Sequence, residues 1–560
     1  GGPTMMSAAA AGSAGHASAD PHQNAATDAA DSNNLPDDDT GVDYQSLDPV
    51  LLKMVIEQVR GAMPTDDTPL DARTNVVLDL GLDSLQRLQI ARDLESRFGG
   101  RFPEEVLEEI ETVGQIAAAI TRDLPEDSVR EAISRFRSGV ARSTSTKVRR
   151  VPKEQQESDF DQFVEYERLQ QTKRQMLQTG IPNPYFSLHE GSVRDTTSID
   201  GKEYVSFASY NYLGTSGDAD VNAATVQAVN RYGTSTSASR LVSGERPLHR
   251  DLESGLAEWI GVDNAITMVG GHATNETTIG HLVGAGDLIV HDGLSHNSIV
   301  QGALLSGAAR QPFPHNDFDA LDRMLATARD QYRRVLIIVE GVYSMDGDFP
   351  DLPKFIEVKK RHNALLMVDE AHSIGTMGET GRGIGQHFAI NPRDVDVWMG
   401  TMSKSFGSCG GYIAGSNALV ELLRYTAPGF VFSCGLPPAA AAASLASLQI
   451  LKDQPQRVAK LQSNSRLFLN LVRDGGLDTG PAAGTPVVPV ITGNSMLALR
   501  LSDRMMADGI NVQPILYPAV DESAARLRFF ITSTHSETQL RNTAETVIRH
   551  SNVLREEMQA

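Results

Sequence analysis

The chain has 560 residues, of which 40% are hydrophobic and 22% are charged, so it can bury sizeable cores in more than one domain. Its formal net charge is −21, and about two thirds of that charge falls in the first 124 residues, which argues against nucleic acid as a partner. Cys409 and Cys434 offer no disulfide framework and no metal site, and no apolar run reaches the roughly 18 residues of a membrane span. We therefore expect a soluble cytoplasmic protein without an integral membrane segment.

The first 46 residues are rich in Ala, Gly, Ser, Asn and Asp, and they contain seven Asp but no Lys or Arg. Such a composition buries too little apolar surface to offset the entropy that is lost when a chain becomes ordered. Residues 1–46 are therefore predicted to be a disordered N-terminal segment.

Residues 47–124 show the pattern of a small all-helical domain. Leu51 and Val55 begin an apolar series at helical spacing, a second helical pattern starts near Asp83, and a short third helix is predicted over Thr112–Ile120. Together these elements predict a compact helical bundle of about 75 residues.

Ser84 lies between Asp83 and Leu85, at the expected start of the second helix. A helix N-terminus favours an attached phosphate, although serine in this place is also a common N-cap. The segment resembles acyl carrier protein, in which an Asp-Ser-Leu serine carries a 4′-phosphopantetheine arm. The resemblance implies that Ser84 holds an acyl thioester on such an arm, supplied by a phosphopantetheinyl transferase and an acyl-loading enzyme. The acidic surface suits docking to a basic protein surface.

Residues 125–157 are predicted to be a basic flexible linker. They are rich in Lys and Arg, and a Ser/Thr run at 143–146 indicates flexibility. We favour a solvated tether, and folding back onto the acidic carrier domain is the alternative.

From residue 158 to residue 560, short β-branched runs alternate with helical patterns, which predicts a mostly parallel sheet covered by helices. The predicted strands are Ala265–Val269, Leu288–His291, Val335–Glu340, Leu365–Asp369 and Val395–Met399. In open sheets of this kind, ligands bind beyond the carboxyl ends of the strands. Because polar residues follow each predicted strand, we expect the five loops to share one cleft.

Two motifs in these loops supply the groups that pyridoxal phosphate needs. Lys404 has an amine that can condense with the cofactor aldehyde, and hydroxyl residues precede it that can bind the phosphate. Asp369 has a carboxylate that can keep the pyridine nitrogen protonated, so that the ring accepts the electrons of an alpha-carbanion. This set of groups predicts a pyridoxal phosphate enzyme.

Several longer motifs carry a resemblance to one family. Ser209–Gly214, Glu340–Asp348, Asp369–His372 with Gly378–Gly383, and the lysine segment are similar to motifs of the alpha-oxoamine synthases, a family of fold-type I pyridoxal phosphate enzymes that includes serine palmitoyltransferase and aminooxononanoate synthase. The similarity runs from Ser209 to about His535. It implies an α/β fold with a large mostly parallel-sheet domain, a smaller C-terminal α+β domain, and a homodimer with cofactor sites at the subunit boundary.

The resemblance also implies a role for each matching residue. Lys404 matches the imine lysine, Asp369 the pyridinium partner, His372 the histidine that hydrogen-bonds the ring hydroxyl, and His296 the histidine that stacks on the ring. The other implied cofactor contacts are Gly271, His272, Ser344 and Thr401, with Ser433 reaching the phosphate from a neighbouring chain.

For the substrate, Arg528 matches the arginine that grips the amino acid carboxylate, with Arg526 as its competitor. Three positions depart from the family pattern. Tyr210 stands where many members have an Asn that helps to hold the substrate carboxylate, His272 replaces an aromatic residue, and Gly435 replaces a hydroxyl residue.

The activity that the resemblance implies is decarboxylative condensation of a small amino acid with the acyl thioester on the arm, giving an alpha-aminoketone, carbon dioxide and a free thiol. Serine or alanine is favoured as the amino acid, and glycine is possible. Three alternatives stay open: an aminotransferase of the same fold, a non-enzymatic scaffold, and a synthase that uses acyl-coenzyme A directly while the carrier serves another enzyme.

Overall fold

A computed structural model describes residues 47–61, 70–76, 80, 82, 84–98, 102, 111–139, 158–517 and 519–559. The predicted disordered segment 1–46 and the Ser/Thr run at 143–146 lie outside these residues, so both predictions stand as made. Within the described part of the chain, no helix combines the length and the apolar character that a membrane crossing requires.

The N-terminal part of the described chain is a helical bundle around one apolar core. Its helices are α1 (Pro49–Gly61), α2 (Ser84–Phe98), α3 (Val113–Asp123) and α4 (Glu126–Gly139). Val55, Leu94 and Ile120 are fully buried in this core, one from each of the first three helices. Helix α2 begins at Ser84, and α3 covers the predicted third helix.

The structure contradicts the prediction of a flexible linker for the first part of residues 125–157. Within α4, Val129 and Ala132 are buried in the core of the helical bundle, and Ile133 and Phe136 pack against it. Their spacings of three and four residues place them on one helix face. The many basic residues of the segment obscure this short apolar pattern in the sequence, and one of them, Arg130, is exposed on α4.

The remaining described residues, from 158 onward, form an α/β region with three sheets. The strands are β1 (His189–Glu190), β2 (Thr196–Ile199), β3 (Lys202–Ser206), β4 (Asn264–Met268), β5 (Leu288–Asp292), β6 (Ala309–Phe313), β7 (Val335–Glu340), β8 (Leu365–Asp369), β9 (Val397–Thr401), β10 (Gly411–Gly415), β11 (Val487–Ile491), β12 (Ile510–Asn511), β13 (Gln513–Ile515) and β14 (Arg526–Phe530). The large sheet has the order β4-β10-β9-β8-β7-β5-β6, and the smaller ones have the orders β1-β2-β3-β12 and β11-β14-β13.

In the large sheet, β9, β8, β7, β5 and β6 pair in parallel, and β10 runs antiparallel to both of its neighbours. Both faces of this sheet are buried. Along β7, Ile337 and Val339 enter one apolar core, whereas Leu336 and Ile338 enter another. Because both faces are buried, the sequences of the central strands are nearly continuous apolar runs without polar alternation.

Helices cover the sheets and connect the strands. They are α5 (Val164–Gln178), α6 (Ala219–Tyr232), α7 (Pro247–Ile260), α8 (Gly271–Leu282), α9 (Asn297–Ser306), α10 (Phe318–Ala328), α11 (Leu352–Arg361), α12 (Ile384–His387), α13 (Asn417–Thr426), α14 (Pro428–Val431), α15 (Pro438–Asp453), α16 (Gln456–Asp474), α17 (Ser495–Ala507) and α18 (Glu537–Gln559). Helices α16, α17 and α18 pack with β11 and β14 around a separate core that includes Phe468, Leu501 and Phe529.

The predicted mostly parallel sheet is confirmed, and each predicted strand is present within two residues of its expected bounds. Two strands of the large sheet escaped prediction. Strand β10 is bounded by Gly411 and Gly415 and looks like a loop, and the edge strand β6 contains Arg310 and Pro312. Edge position tolerates such residues, because only one side of the strand carries a ladder of hydrogen bonds.

Candidate active site

The site forms where β7, β8 and β9 end together. These strands are parallel and in register, with Glu340 opposite Asp369 and Asp369 opposite Met399, so their carboxyl ends meet at one edge of the sheet. Asp369 is buried, and both of its carboxylate oxygens are held. Oδ1 accepts from the Ala371 N–H at 2.9 Å, and Oδ2 accepts from Asn275 Nδ2 at 2.8 Å. The carboxylate is therefore fixed in orientation.

His372 links the lysine to the wall of the site. Its Nε2 lies 2.8 Å from Lys404 Nζ, and its Nδ1 lies 2.7 Å from the Tyr212 hydroxyl. The ring also stacks parallel to Phe530, with centroids 6.5 Å apart. Burial, and then the positive charges of Lys404 and Arg528, hold the pKa of His372 well below its usual range, so the ring is neutral.

Lys404 is poised as a weak base. Burial lowers the pKa of its amine to about 8, even though the carboxylates of Asp369 and Glu340 act in the opposite direction. The positive charge of the Arg528 guanidinium contributes to this lowering of the pKa. Near neutral pH a useful fraction of this amine is unprotonated, which a nucleophile or a base requires.

His296 caps the N-terminus of α9 and faces the same charges. Burial lowers its pKa, and the adjacent carboxylate of Asp369 opposes that change. The backbone N–H of Ser298 donates to Nδ1 at 3.2 Å, so Nδ1 is an acceptor and the neutral ring carries its proton on Nε2. The backbone N–H of His296 donates to Glu340 Oε1 at 2.5 Å. The imidazole ring of His296 thus has its Nε2–H available as a hydrogen-bond donor.

Two residues of this site were missed as site residues by the sequence analysis. Asn275 Nδ2 donates to both Ser298 Oγ and Asp369 Oδ2, at 2.9 and 2.8 Å, and so connects the loop of His296 to the carboxylate. Glu340 is buried, and burial together with the charge of Asp369 raises its pKa well above the usual range. The signal for Asn275 was its place one helical turn after Gly271, on the helix that begins at the cleft.

The N-terminus of α8 supplies an anion site next to these groups. Its N-cap is Gly270, which has no side chain to bond the first N–H groups, and a Cβ at Gly270 would meet nothing within 4 Å. At Gly271, in contrast, a Cβ would lie 2.7 Å from Thr401 Oγ1. Thr401 Oγ1 lies 2.8 Å from Ser403 Oγ. Free helix N–H groups and two hydroxyls suit a phosphate.

Arg528 closes another side of the cleft. Its Nη1 donates to the Ser344 carbonyl at 3.0 Å, and its guanidinium lies 4.7 Å from the Phe530 ring centroid. Its Nε is buried without a partner among the described residues. Arg526, the competitor, already donates from Nη1 to Asp346 at 2.5 Å and from Nε to the Ala524 carbonyl at 2.7 Å. This difference leaves Arg528 the better placed to bind an added carboxylate.

The other predicted site residues lie at the rim. The Tyr210 ring is 41% exposed, and its centroid is 5.7 Å from Lys404 Nζ. His272 is half exposed, 3.5 Å from Glu276 and edge-on to His296 at 6.0 Å. Ser433 Oγ donates to the Cys434 carbonyl at 3.2 Å.

Gly435 departs from the family pattern for a steric reason. A Cβ there would lie 2.7 Å from Arg240 Cγ, and Arg240 is buried in ion pairs with Glu245 and Glu253. A hydroxyl residue at this position would therefore displace a buried charged network.

These groups fit pyridoxal phosphate. Asp369 is a fixed carboxylate for the pyridine nitrogen, Lys404 is an amine of lowered pKa for the aldehyde, and the uncapped start of α8 with Thr401 is a place for the phosphate. The buried side-chain oxygen Oδ1 of Asn275, the residue that holds Asp369, has no partner among the described residues and is free to accept a hydrogen bond.

Comparisons with known proteins agree with this geometry. The family model for aminotransferase class I and II matches residues 202–547, and the one for the phosphopantetheine attachment site matches residues 53–120. The 8-amino-7-oxononanoate synthase of Symbiobacterium thermophilum is 39% identical over 365 residues, which cover 65% of this chain and 92% of that protein.

Solved structures give the same result. The serine palmitoyltransferase of Sphingomonas wittichii superposes with a TM-score of 0.68 at 31% identity, covering 71% of this chain and 99% of that one. A high-resolution structure of SPT with PLP has the same TM-score and coverage at 27% identity. The chain therefore belongs to the alpha-oxoamine synthase family: it is a pyridoxal phosphate-dependent acyltransferase that carries out decarboxylative condensation, and it contains an N-terminal phosphopantetheine carrier domain.

Proposed function

We propose that the chain condenses a small amino acid, serine or alanine before glycine, with an acyl group carried as a thioester on the phosphopantetheine arm of its own Ser84. The products are an alpha-aminoketone, carbon dioxide and the free thiol of the arm. The observation that carries the chemistry is the contact of Lys404 with His372, beside the fixed carboxylate of Asp369.

Arg528 binds and orients the amino acid. Its unpartnered Nε and its position over Phe530 support a hydrogen bond to the substrate carboxylate inside the cleft. Fixing the carboxylate sets which bond at the alpha carbon points away from the plane of the cofactor. Pyridoxal phosphate, when bound, supplies the sink for the electrons that remain at that carbon.

Lys404 moves the alpha proton. Its amine has a pKa of about 8, so it can accept the proton from the alpha carbon at Nζ near neutral pH. His372 accepts a hydrogen bond from Nζ and holds the amine in place, and Tyr212 holds His372 in turn. Lys404 returns a proton to the same carbon after carbon dioxide has left.

His296 assists the acyl transfer. Its Nε2–H can donate to the thioester carbonyl oxygen as negative charge develops there. The alpha carbon forms a bond to the carbonyl carbon, the carbon–sulfur bond breaks, and the arm leaves as a thiolate that takes up a proton. The bond to the amino acid carboxylate then breaks, and carbon dioxide departs.

The rim of the cleft supports a small amino acid. Tyr210 lies 4.8 Å from Phe530 and 6.1 Å from His372, measured between ring centroids. We infer that these three rings form a wall beside Lys404 that favours a small side chain over a branched or aromatic one. A hydroxymethyl or a methyl group is the size that this wall favours.

We place the active form as a homodimer. Leu241, Val242 and Phe432 are exposed apolar residues, and Phe432 is 87% exposed. The two segments that hold them are joined, because Ser239 Oγ donates to the Val431 carbonyl at 2.6 Å. This apolar surface adjoins Ser433 and supports the role of that hydroxyl in a neighbouring subunit.

The test uses the full chain loaded with pyridoxal phosphate, converted to its phosphopantetheine form and acylated on the arm. Serine, alanine and glycine, each labelled in the carboxyl carbon, are added separately. We expect labelled carbon dioxide and an aminoketone in equal amounts, fastest with serine or alanine. Lys404→Ala should abolish both products, and Asp503→Ala on the exposed face of α17 should change neither.

The donor is decided by Ser84→Ala. If the arm delivers the acyl group, this variant makes no product from the acylation mixture, whereas the wild-type chain does. Full turnover of Ser84→Ala with acyl-coenzyme A, at the rate of the loaded wild type, contradicts delivery from the arm. Transfer of the amino group to a keto acid without carbon dioxide contradicts the condensation itself.

A further inference from the structure

The carrier helix α2 contacts the synthase region through an ion pair. Arg87 Nη2 lies 3.2 Å from Asp521 Oδ1, across 434 residues of sequence. The Arg87 side chain is only 19% exposed, and Asp521 is 56% exposed. Asp521 belongs to the segment Leu516–Ala525, which joins β13 to β14 and which we call the β13–β14 loop. A partly buried arginine with a carboxylate partner is a specific contact.

At this contact a basic residue of the carrier domain meets an acidic residue of the synthase region. Residues 47–124 carry fifteen acidic and eight basic residues, so most of the carrier surface would repel a carboxylate. Helix α2 departs from this balance, because its three arginines outnumber its two acids, and α1 also departs from it, with two bases and one acid. The ion pair therefore forms on the helix of the carrier domain that begins at Ser84.

The β13–β14 loop is held firmly at the place of contact. Ser495, the first residue of α17, donates its N–H to Glu522 Oε1 at 2.6 Å, and its hydroxyl bonds the other oxygen of Glu522. The Tyr517 N–H donates to Ser495 Oγ at 3.1 Å. Met496 and Tyr517 beside this anchor are 39% and 37% exposed and offer apolar area for a partner. A rigid loop can position what binds to it.

The loop also leads directly to the cleft. Arg528, which faces the substrate, follows Asp521 by seven residues, so their Cα atoms lie at most about 25 Å apart. Arg526 between them is locked to Asp346 and to the Met345 carbonyl. On the carrier side, Ser84 lies three residues before Arg87, which is about 4.5 Å along the helix axis.

We infer that the β13–β14 loop is the docking site of the chain's own carrier domain. Arg87 of α2 binds Asp521 of this loop, and this ion pair orients the carrier domain so that the arm on Ser84 faces the cleft. This inference rests on the proposed delivery from the arm. It reverses the usual expectation for an acidic carrier, because here the carrier supplies the base and the synthase supplies the acid.

The test is a charge swap in the full chain. Arg87→Glu and Asp521→Arg should each slow acyl transfer from the loaded arm about five- to tenfold in single turnover, since an attraction becomes a repulsion. The double variant Arg87→Glu/Asp521→Arg should recover most of that loss. Arg92→Glu makes the same change of charge on α2, but five residues on and about 140° around the helix, and should leave the rate unchanged.

Two further readouts separate this inference from the proposed function. With a small soluble acyl thioester as donor, both single variants should turn over like the wild type, since the cleft is intact. Hydrogen exchange of residues 516–525 should become faster in Arg87→Glu than in wild type, whichever donor the enzyme uses. Unchanged exchange and unchanged transfer in both single variants overturn the docking site, even if the arm proves to be the donor.

Discussion

At the residue scale, the site depends on groups that never touch the substrate. Asp369 must be ionised and correctly turned to hold a ring nitrogen protonated, and Asn275 is the side chain that turns it. The same amide donates to Ser298, whose backbone fixes the tautomer of His296. One residue thus sets the geometry of the carboxylate on one side of the site and of an N–H donor on the other.

Asn275→Ala is expected to lower kcat/KM about 10- to 100-fold, because a hydrogen bond to a charged group contributes about 1.5–3 kcal/mol. The variant should also bind pyridoxal phosphate more weakly, which a spectroscopic titration of the cofactor measures. Asn264→Ala removes the same side chain from the exposed start of β4, where Asn264 bonds Asn417, and should change neither quantity. Wild-type cofactor affinity in Asn275→Ala contradicts the positioning role.

The pKa of Lys404 can be tested without turnover. In protein freed of cofactor, labelling of this amine by an acylating reagent should rise with pH and reach half its maximum near pH 8, because only the unprotonated amine reacts and burial lowers its pKa. Peptide mapping by mass spectrometry gives the value, and Lys173 on the exposed surface of α5 is the internal reference. A midpoint near 10, as for lysine in water, contradicts the prediction.

At the scale of elements, one histidine ties three strand ends together. His315 follows β6, and its two ring nitrogens lie 2.8 Å from Asp292 at the end of β5 and 2.8 Å from Asp348 after β7. Burial opposes charge on this ring, but the hydrogen bonds to the two carboxylates outweigh it and raise the pKa of His315 to about 10. The ends of β5 and β6 and the segment after β7 are thereby held together by an ion pair.

Because the folded pKa of His315 exceeds its value of about 6.5 in an unfolded chain, its contribution to stability is complete below pH 6.5 and is lost as the pH rises through about 10. His315→Gln should therefore cost about 3 kcal/mol at pH 6.5 and much less at pH 10. Calorimetry at matched scan rate measures this, with His281→Gln, whose partner is the neutral Thr426, as the control. If His315→Gln lowers the free energy of unfolding by the same amount at both pH values, His315 is not positively charged in the folded protein.

Helix α4 gives a second prediction at this scale. Val129→Asp places a charge in the carrier core and should speed hydrogen exchange in α1 and α3, since an unpaired buried charge is costly. Ser134→Asp introduces the same group at an exposed position of α4 and should leave exchange as it was. Equal exchange in both variants would mean that α4 is not part of the carrier fold.

The sequence allows the elements to be predicted where one periodicity dominates. The predicted bounds of β7 and β8 agree with the observed strands at both ends. Because both faces of the sheet are buried, the two strands appear in the sequence as nearly continuous apolar runs. The sequence does not reveal strand β10, because glycines at its ends make it resemble a loop. It does not reveal helix α4 either, because arginines interrupt its short apolar pattern. Motifs place Lys404 and Asp369 in one cleft, but the bond from Asn275 to Asp369 spans 94 residues and only the fold reveals it.

At the scale of the whole molecule, the carrier and the cleft that it serves share one chain. Tethering replaces a bimolecular encounter by an intramolecular one, with effective concentrations of the order of millimolar for short tethers. Acyl transfer from the arm should then follow first-order kinetics with a rate constant independent of enzyme concentration. A rate constant that grows in proportion to concentration would show delivery between molecules.

The ion pair of Arg87 with Asp521 joins residues of the same chain, so we expect each carrier to serve its own cleft. The Ser84→Ala chain retains a complete cleft but cannot carry the phosphopantetheine arm. The Lys404→Ala chain carries the arm but lacks the base of the cleft. Coexpressed with different tags and purified together, the two chains should show less than about a tenth of wild-type turnover, because neither contains a working pair. A wild-type chain purified with a Ser84→Ala/Lys404→Ala chain is the control and should keep about half. Strong recovery in the mixed sample would demonstrate that the arm crosses between subunits.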